Sequence, residues 1–361
     1  MENLSDIAYA PRLVSVREIM KKKKLDGFLV TDMTNIRYLT GFSGSSGFLF
    51  MTDAEQFFAT DFRYQEQSGQ EVRGWDIVIE RGSRIGTMKN LFRRTCIRKL
   101  GFESSVSYEF YRQLSLKGLE IIATDHLVEG LRTIKNDAEI EFIKRAVNRA
   151  EEAFLDVKPF IRPGIRERSI ASRLGERLRK RGCRNVPFEI IVASGSQSAL
   201  PHARPTDKKL QEGDLVIIDW GGEANGYYSD MTRTLLIRGK NTGRQQELYQ
   251  IVLAANRKAI SSVTPGVKSK QIDNAARAHI RDSGYGDQFG HGTGHGVGLQ
   301  IHESPRISWN KSVPLREHMV FTIEPGIYLP GLGGVRIEDM VVVRKKTPEV
   351  LTSLKKDLEI I

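Results

Sequence analysis

The sequence predicts an α+β protein in which a larger C-terminal domain, built on antiparallel sheet, follows a smaller α/β domain. Three observations lead there. The first third alternates short apolar strands with amphipathic helices as far as EIIATD at 120–125. Helices and strands then come in pairs, beginning with one long helix whose buried stripe is Ile140, Ile143, Val147, Ala150 and Phe154. The 361 residues, at about 150 per domain, make two domains.

In chain order, residues 11 to about 25 read as an amphipathic helix ending in Lys21 to Lys24, cations suited to the C-terminal end of the macrodipole. GFLV (27–30), GFLFMT (47–52) and QFFAT (56–60) read as strands separated by turn residues. The alternation stops near residue 131, which sets domains at 1–131 and 132–361. Asn136 or Asp137 can cap the long helix. Beyond it, helices are predicted near 137–160, 166–182, 243–262 and 269–283, with strands near 188–193, 215–219, 228–237, 319–324 and 335–344. No solenoid-length repeat or low-complexity stretch interrupts them.

Composition narrows the function classes. Hydrophobic residues at 40% and charged residues at 27% exclude a largely disordered chain. No apolar run approaches the roughly 18 residues of a membrane span, and MENLSDIAYAPRLVSVREIM lacks a secretory core, so a soluble cytoplasmic protein is expected. Cys96 and Cys183 have no CxxC partner; they are expected to be free, mostly buried thiols, with no thiolate zinc site. The net charge of +11 is dispersed, without an aromatic-basic platform beside it, so neither nucleic acid nor membrane is the expected partner.

Chemistry concentrates in three places. In LVIIDWGGEANGYYSDMTRT, Asn225-Gly226 signals a two-residue hairpin that puts Gly221 opposite Asp230 and Asp219 opposite Thr232. Asp219 and Asp230 are then diagonal neighbours on one face, roughly 7–8 Å apart at the backbone. Two such carboxylates repel unless a cation lies between them, although a solvated polar face is the blander reading. Glu324 after MVFTI and Glu338 within GVRIEDMVVV interrupt apolar strands, which is costly unless they are paired or coordinated. Arg336 shares the face of Glu338 by the two-residue period and is its candidate ion-pair partner. In FGHGTGHGVGLQIHE, alternate glycines from Gly290 to Gly298 exclude a helical metal motif. They predict a strand with one face stripped for close approach and His291 and His295 on the other. His302 makes three of the chain's seven histidines within twelve residues. Together Asp219, Asp230, His295, Glu324 and Glu338 offer too many carboxylates for one divalent ion and suit a pair about 3.5–4 Å apart. Oxygen-rich ligation favours manganese, with cobalt, zinc or iron compatible, and hydrolysis of an amide or ester is the matching chemistry.

These blocks, IDWGG…YYSDMTRT, HGTGHGVGLQIHE, FTIEPGIY and VRIEDM, resemble the pita-bread metallopeptidases, in the branch of proline dipeptidases and aminopeptidase P. NIRYLTGFSGSSG and TDFRY resemble that branch's creatinase-type N-terminal domain, and LRTIKNDAEIEFIKRA the helix that opens its catalytic domain. The resemblance implies an enzyme that cleaves the bond between an N-terminal residue and proline through a metal-bridging hydroxide. It implies that Asp219 binds one metal, Asp230 and Glu338 bind both, His295 binds the other, and Glu324 binds metal and acts as general base. It implies catalytic support from His202, His291 and His302, with His202 and His302 also touching substrate. Arg306 is implicated in holding a substrate carboxylate, and Arg336 in bordering the substrate and supporting the metal ligands. A homodimer and short proline-containing peptide substrates are also implied. Dipeptidase and longer-peptide aminopeptidase stay open as rivals. The alternative from another class is a catalytically silent pita-bread module that binds peptide, protein or nucleic acid, which loss of any ligand would have favoured.

Overall fold

The structure, a computed structural model, describes residues 9–361. The chain forms two compact units, one ending at Arg132 and the other spanning Thr133–Ile361. Among the described residues no helix is long and apolar enough to cross a membrane.

The first unit is a six-stranded mixed sheet with helices between its strands. Its helices are α1 (Ala10–Lys22), α2 (Met33–Thr40), α3 (Gln65–Glu71), α4 (Arg84–Arg94), α5 (Tyr108–Leu114) and α6 (Leu127–Arg132). The strands β1 (Gly27–Val30), β2 (Phe48–Thr52), β3 (Gln56–Thr60), β4 (Asp76–Ile79), β5 (Lys99–Glu103) and β6 (Glu120–Thr124) lie in the order β4-β3-β2-β1-β5-β6. Leu29, Phe48, Phe50 and Phe57 of the sheet pack with Met88, Leu91 and Phe92 of α4 in one apolar core. Cys96 is exposed at a positive φ of 52°, just past the end of α4, and only Cys183 is buried, so the expectation of two mostly buried thiols holds for one of them.

The second unit opens with α7 (Asp137–Val157), capped by Asn136, whose side chain accepts from Glu139 N while the Glu139 carboxylate returns to Asn136 N. Every residue of the predicted stripe is buried. It is followed by α8 (Glu167–Lys180), β7 (Ile191–Ser194), β8 (Leu215–Trp220), β9 (Glu223–Ala224), β10 (Tyr227–Tyr228) and β11 (Met231–Leu236). Phe154 of α7 stacks on Trp220 with centroids 4.6 Å apart, and Trp220 Nε1 donates to Ala150 O. Next come α9 (Gly243–Ser261), α10 (Ser269–Ile280), β12 (Gly294–Gly296), β13 (Glu303–Ile307), β14 (Val320–Ile323), β15 (Gly326–Leu329), β16 (Gly333–Arg336), β17 (Asp339–Val342), β18 (Glu349–Val350) and β19 (Glu359–Ile360). A four-stranded sheet runs β19-β11-β8-β7 and a five-stranded one β13-β12-β14-β17-β18, with β9-β10 and β15-β16 as separate ribbons. Every pairing in this unit is antiparallel except β11-β19. Leu248, Val252 and Ala255 of α9 and Ile272 and Ala276 of α10 join Phe321, Ile323, Val335 and Val341 of the strands in the core.

Two local devices place the acids. Asn225 and Gly226 adopt φ of 52° and 82°, the left-handed pair a two-residue hairpin requires. Tyr227 therefore faces Ala224, and the same register continues to Met231 opposite Trp220 and Thr232 opposite Asp219. The second device was not legible as a pattern. The predicted strand at 335–344 is two strands, because the chain leaves one sheet for another at Ile337–Glu338, just as its neighbour does at Glu324–Pro325. Register is kept across the gap, with Ile323 opposite Asp339 and Gly326 opposite Arg336. Glu324 and Glu338 thus fall opposite each other in the opened ladder. Their backbone N–H groups turn away to Thr293 O and Thr232 O.

Candidate metal centre

A single cavity of about 780 Å³ is lined by Asp219, Asp230, His295, Glu324, Glu338, His202, His291, His302, Arg306 and Arg336. Asp219 stands at the end of β8, Asp230 just before β11, and the two glutamates in the links between sheets. His295 is the centre of β12. A Cβ on Gly294 would fall 1.9 Å from Thr322 O, and one on Gly296 2.1 Å from Ser304 O. The stripped face therefore admits the backbones of the flanking chains, and His295 is driven to the opposite side. Gly294→Ala is expected to lower stability by about 1–3 kcal/mol by forcing the two chains apart. A thermal melt measures the loss, and an unchanged melting temperature would refute the close approach.

The orientation of His295 follows from its hydrogen bonds. Nδ1 lies 3.1 Å from Gly296 O, a carbonyl that can only accept, so Nδ1 carries the proton and the Nε2 lone pair is free. That lone pair faces Asp230 Oδ2 at 3.5 Å and Glu324 Oε1 at 3.4 Å. Burial holds the imidazole neutral, with its pKa pushed down to about 3. One ligand atom each from Asp230, His295 and Glu338 lies within 4.8 Å of the others. Three acceptors converge with no donor among them.

The charge balance points the same way. Burial, followed by repulsion from neighbouring acids, pushes Asp230 and Glu338 well above the usual carboxylate range. Burial also raises Asp219 and lifts Glu324 to about 7. Against four carboxylates stands one bonded guanidinium, that of Arg336, whose NH2 donates to Asp219 Oδ2 at 2.6 Å. Asp219 Oδ1 is shut off from solvent and has no hydrogen-bond partner among the described residues. An orphaned carboxylate oxygen and a surplus of buried negative charge are what divalent cations relieve. The residues present fit such ions.

The expected Arg336–Glu338 pair is replaced by Arg336–Asp219. The two-residue alternation that suggested it fails because the strand breaks between them. Glu338 Oε2 instead accepts from Thr232 Oγ1 at 2.7 Å, and Thr232 in turn accepts from Arg336 Nε at 3.1 Å. The remaining Arg336 nitrogen, NH1, donates to Tyr328 OH at 3.0 Å and to Pro201 O at 3.1 Å. His291 lies outside the short strand, so alternation does not place it. Its Nδ1 donates to Gly292 O at 2.8 Å, which leaves Nε2 to accept from Tyr328 OH at 2.9 Å. Burial lowers its pKa to about 4. The His302 ring stands edge-on to His295, with centroids 4.2 Å apart, while burial and then Arg306 lower its pKa. His202 is exposed toward the cavity, and Arg306 lies opposite His295 across the β12-β13 pair.

Thr232 and Tyr328 are site residues that sequence reasoning missed. Thr232 carried a signal, since it shares the face of Asp230 two residues away. Tyr328 carried none, because its hydroxyl reaches the site only through the ribbon formed by β15 and β16.

Residues 141–345 match metallopeptidase family M24, and residues 12–134 match the creatinase/prolidase N-terminal domain. The chain is 36% identical over 351 residues to a Xaa-Pro dipeptidase of Pyrococcus horikoshii, covering 96% of this chain and 98% of that one. Among solved structures it is similar to a Xaa-Pro dipeptidase from Bacillus anthracis, with TM-score 0.95 and 38% identity over 98% of this chain and 100% of the other. It is also similar to an X-Pro aminopeptidase from Thermotoga maritima, with TM-score 0.87 and 36% identity over 96% of this chain and 98% of the other.

Proposed function

The chain is a metallopeptidase of family M24, and from that membership we propose that it hydrolyses the peptide bond between an N-terminal residue and a following proline. Both a dipeptidase acting on Xaa-Pro and an aminopeptidase acting on longer peptides remain within the proposal, since relatives of both names are similar to it along most of its length. The observation that carries the reading is the convergence of Asp230, His295 and Glu338 on one point of a cavity also bordered by Asp219 and Glu324. These five would hold two divalent ions, manganese best matching a set rich in oxygen ligands. Such a pair would make a bound water acidic enough to give up its proton at neutral pH and would polarise a carbonyl.

The chain's own side chains do the rest. Glu324, largely buried but open to the cavity, with Oε1 steadied by Thr322 Oγ1 at 3.2 Å, takes the proton of the attacking water and returns it to the leaving nitrogen. His202 and His302 donate to the oxygen on which negative charge develops. Arg306 offers a planar fork to a substrate carboxylate. Arg336 holds Asp219 in place and, through Tyr328, fixes the tautomer of His291. The working unit is proposed to be a homodimer.

Mass-spectrometric assay of Ala-Pro and Ala-Pro-Ala-Ala with added Mn²⁺ and after chelation tests the proposal. Metal-dependent cleavage confined to Ala-Pro makes it a dipeptidase, release of alanine from the tetrapeptide makes it an aminopeptidase, and cleavage of neither refutes proline specificity. Chelation is also expected to destabilise the fold, because the four acids are left without their counter-ions. At a metal concentration about a hundred times the Kd, each bound ion adds about 2.7 kcal/mol, so the melting temperature should fall by about 5–10 °C for each ion that chelation removes. A melt insensitive to chelator would argue that the acids are neutralised by protons alone.

A further inference from the structure

We propose that Glu167 is a positioning residue for this reaction, its carboxylate clamping together the two stems of the segment that carries His202. The inference rests on the function proposed above, in which His202 touches the substrate.

His202 lies in an irregular stretch between β7 and β8, and its ring is exposed to the cavity. An exposed ring on a loop gains little from packing, so its position depends on how the backbone is held at either end. One side chain holds both ends. Glu167, the first residue of α8, is completely buried. Its Oε1 accepts from Ser194 N at 2.8 Å and Ser194 Oγ at 2.7 Å, on the incoming stem. Its Oε2 accepts from Thr206 N at 3.0 Å and Thr206 Oγ1 at 2.6 Å, on the outgoing stem. Four donors fill the acceptor capacity of a carboxylate, and no neutral side chain of this size can accept all four.

The surroundings reinforce the clamp. Ser194 Oγ also accepts from Lys208 Nζ at 2.7 Å, and that ammonium is paired with Asp214 at 2.6 Å. Glu167 N donates to Lys208 O and Arg168 N to Thr206 O, so α8 begins directly against the outgoing stem. At the crown, Gly334 N donates to Ser198 Oγ and Arg336 NH1 donates to Pro201 O. The segment is thus pinned at its base by Glu167 and at its top by the strand that ends in Arg336. A buried charge here is expensive, and packing of α8 alone would be served by an apolar residue. What the carboxylate adds is closure of the loop with His202 on it.

The test combines kinetics with hydrogen exchange in the Mn²⁺-loaded full chain. Glu167→Gln puts an amide NH2 against one stem's donors, and kcat/KM for Ala-Pro, or for the tetrapeptide if that is the substrate, should drop by at least about tenfold. Thr206→Val removes one of the four donors with little change of shape and should give a smaller loss in the same direction. In a His202→Ala background both variants should change kcat/KM by less than about twofold, because the route through His202 is already cut. Amides of residues 195–205 should exchange about tenfold faster in Glu167→Gln, while those of 291–302 keep their wild-type rates. Equal losses with and without His202 would overturn the proposal, as would unchanged exchange over 195–205. If the wild-type chain cleaves no Xaa-Pro bond, the proposed function fails, and the exchange rates alone then decide the clamp.

Discussion

Asp230→Asn is expected to cut kcat/KM by about 10³-fold or more and to leave the purified protein short of metal. Asp230 contributes one of the three ligand atoms that converge within 4.8 Å, and its Oδ2 faces the free lone pair of His295. An amide in its place offers one weaker acceptor and no charge. Divalent cations acting on a scissile carbonyl contribute several kcal/mol of transition-state stabilisation, and about 4 kcal/mol corresponds to that thousandfold. Stability should move the opposite way. Asp230 is pushed up by burial and then by Glu338, Asp219 and Glu324, so neutralising it relieves repulsion that the chelated wild type must bear. Melts of the chelated proteins at neutral pH should place Asp230→Asn above wild type, and those of the Mn²⁺-loaded proteins should reverse the order. A variant that keeps full activity would refute the metal assignment.

Glu324→Gln is expected to separate chemistry from binding. The substitution keeps a carbonyl oxygen near His295 Nε2 but removes the group that takes and returns the proton. Loss of a positioned general base typically costs about 10²–10⁴-fold, so kcat should fall by that factor with KM within a few-fold of wild type. Metal content should drop less than in Asp230→Asn, because a donor oxygen remains. An unchanged kcat would move the base elsewhere. His302 would then be the next candidate, since its ring lies against His295 and burial holds its pKa down.

Much of this site could be read before the fold was known, for identifiable reasons. Asn225-Gly226 permits essentially one turn, and a two-residue loop fixes every pairing down to Asp219 opposite Thr232. The stripe on α7 was legible because its apolar residues recur at helical spacing and all of them are buried. Alternating glycines around His295 excluded a helix, and the carbonyls of Thr322 and Ser304 explain two of them. Where reading failed, the cause was a break in period. Arg336 and Glu338 are two residues apart, yet the chain changes sheets between them, so the arginine meets Asp219 and the glutamate meets Thr232. His291 fell outside the strand because β12 is only three residues long, Gly294–Gly296. Tyr328 meets His291 across 37 residues, and Glu167 meets Ser194 and Thr206 across 27 and 39, while an acid at a helix start reads simply as a favourable dipole interaction. Proline specificity came from resemblance alone, because none of these residues by itself selects an imino acid.

Counting metal tests most directly whether these side chains form a catalytic metal centre. Protein loaded with Mn²⁺, desalted and analysed by plasma mass spectrometry should carry about two ions per chain, and their removal by chelator should abolish hydrolysis until Mn²⁺ is restored. A folded wild-type chain that retains no divalent ion, or hydrolyses its substrate equally well without one, would contradict the assignment of Asp219, Asp230, His295, Glu324 and Glu338.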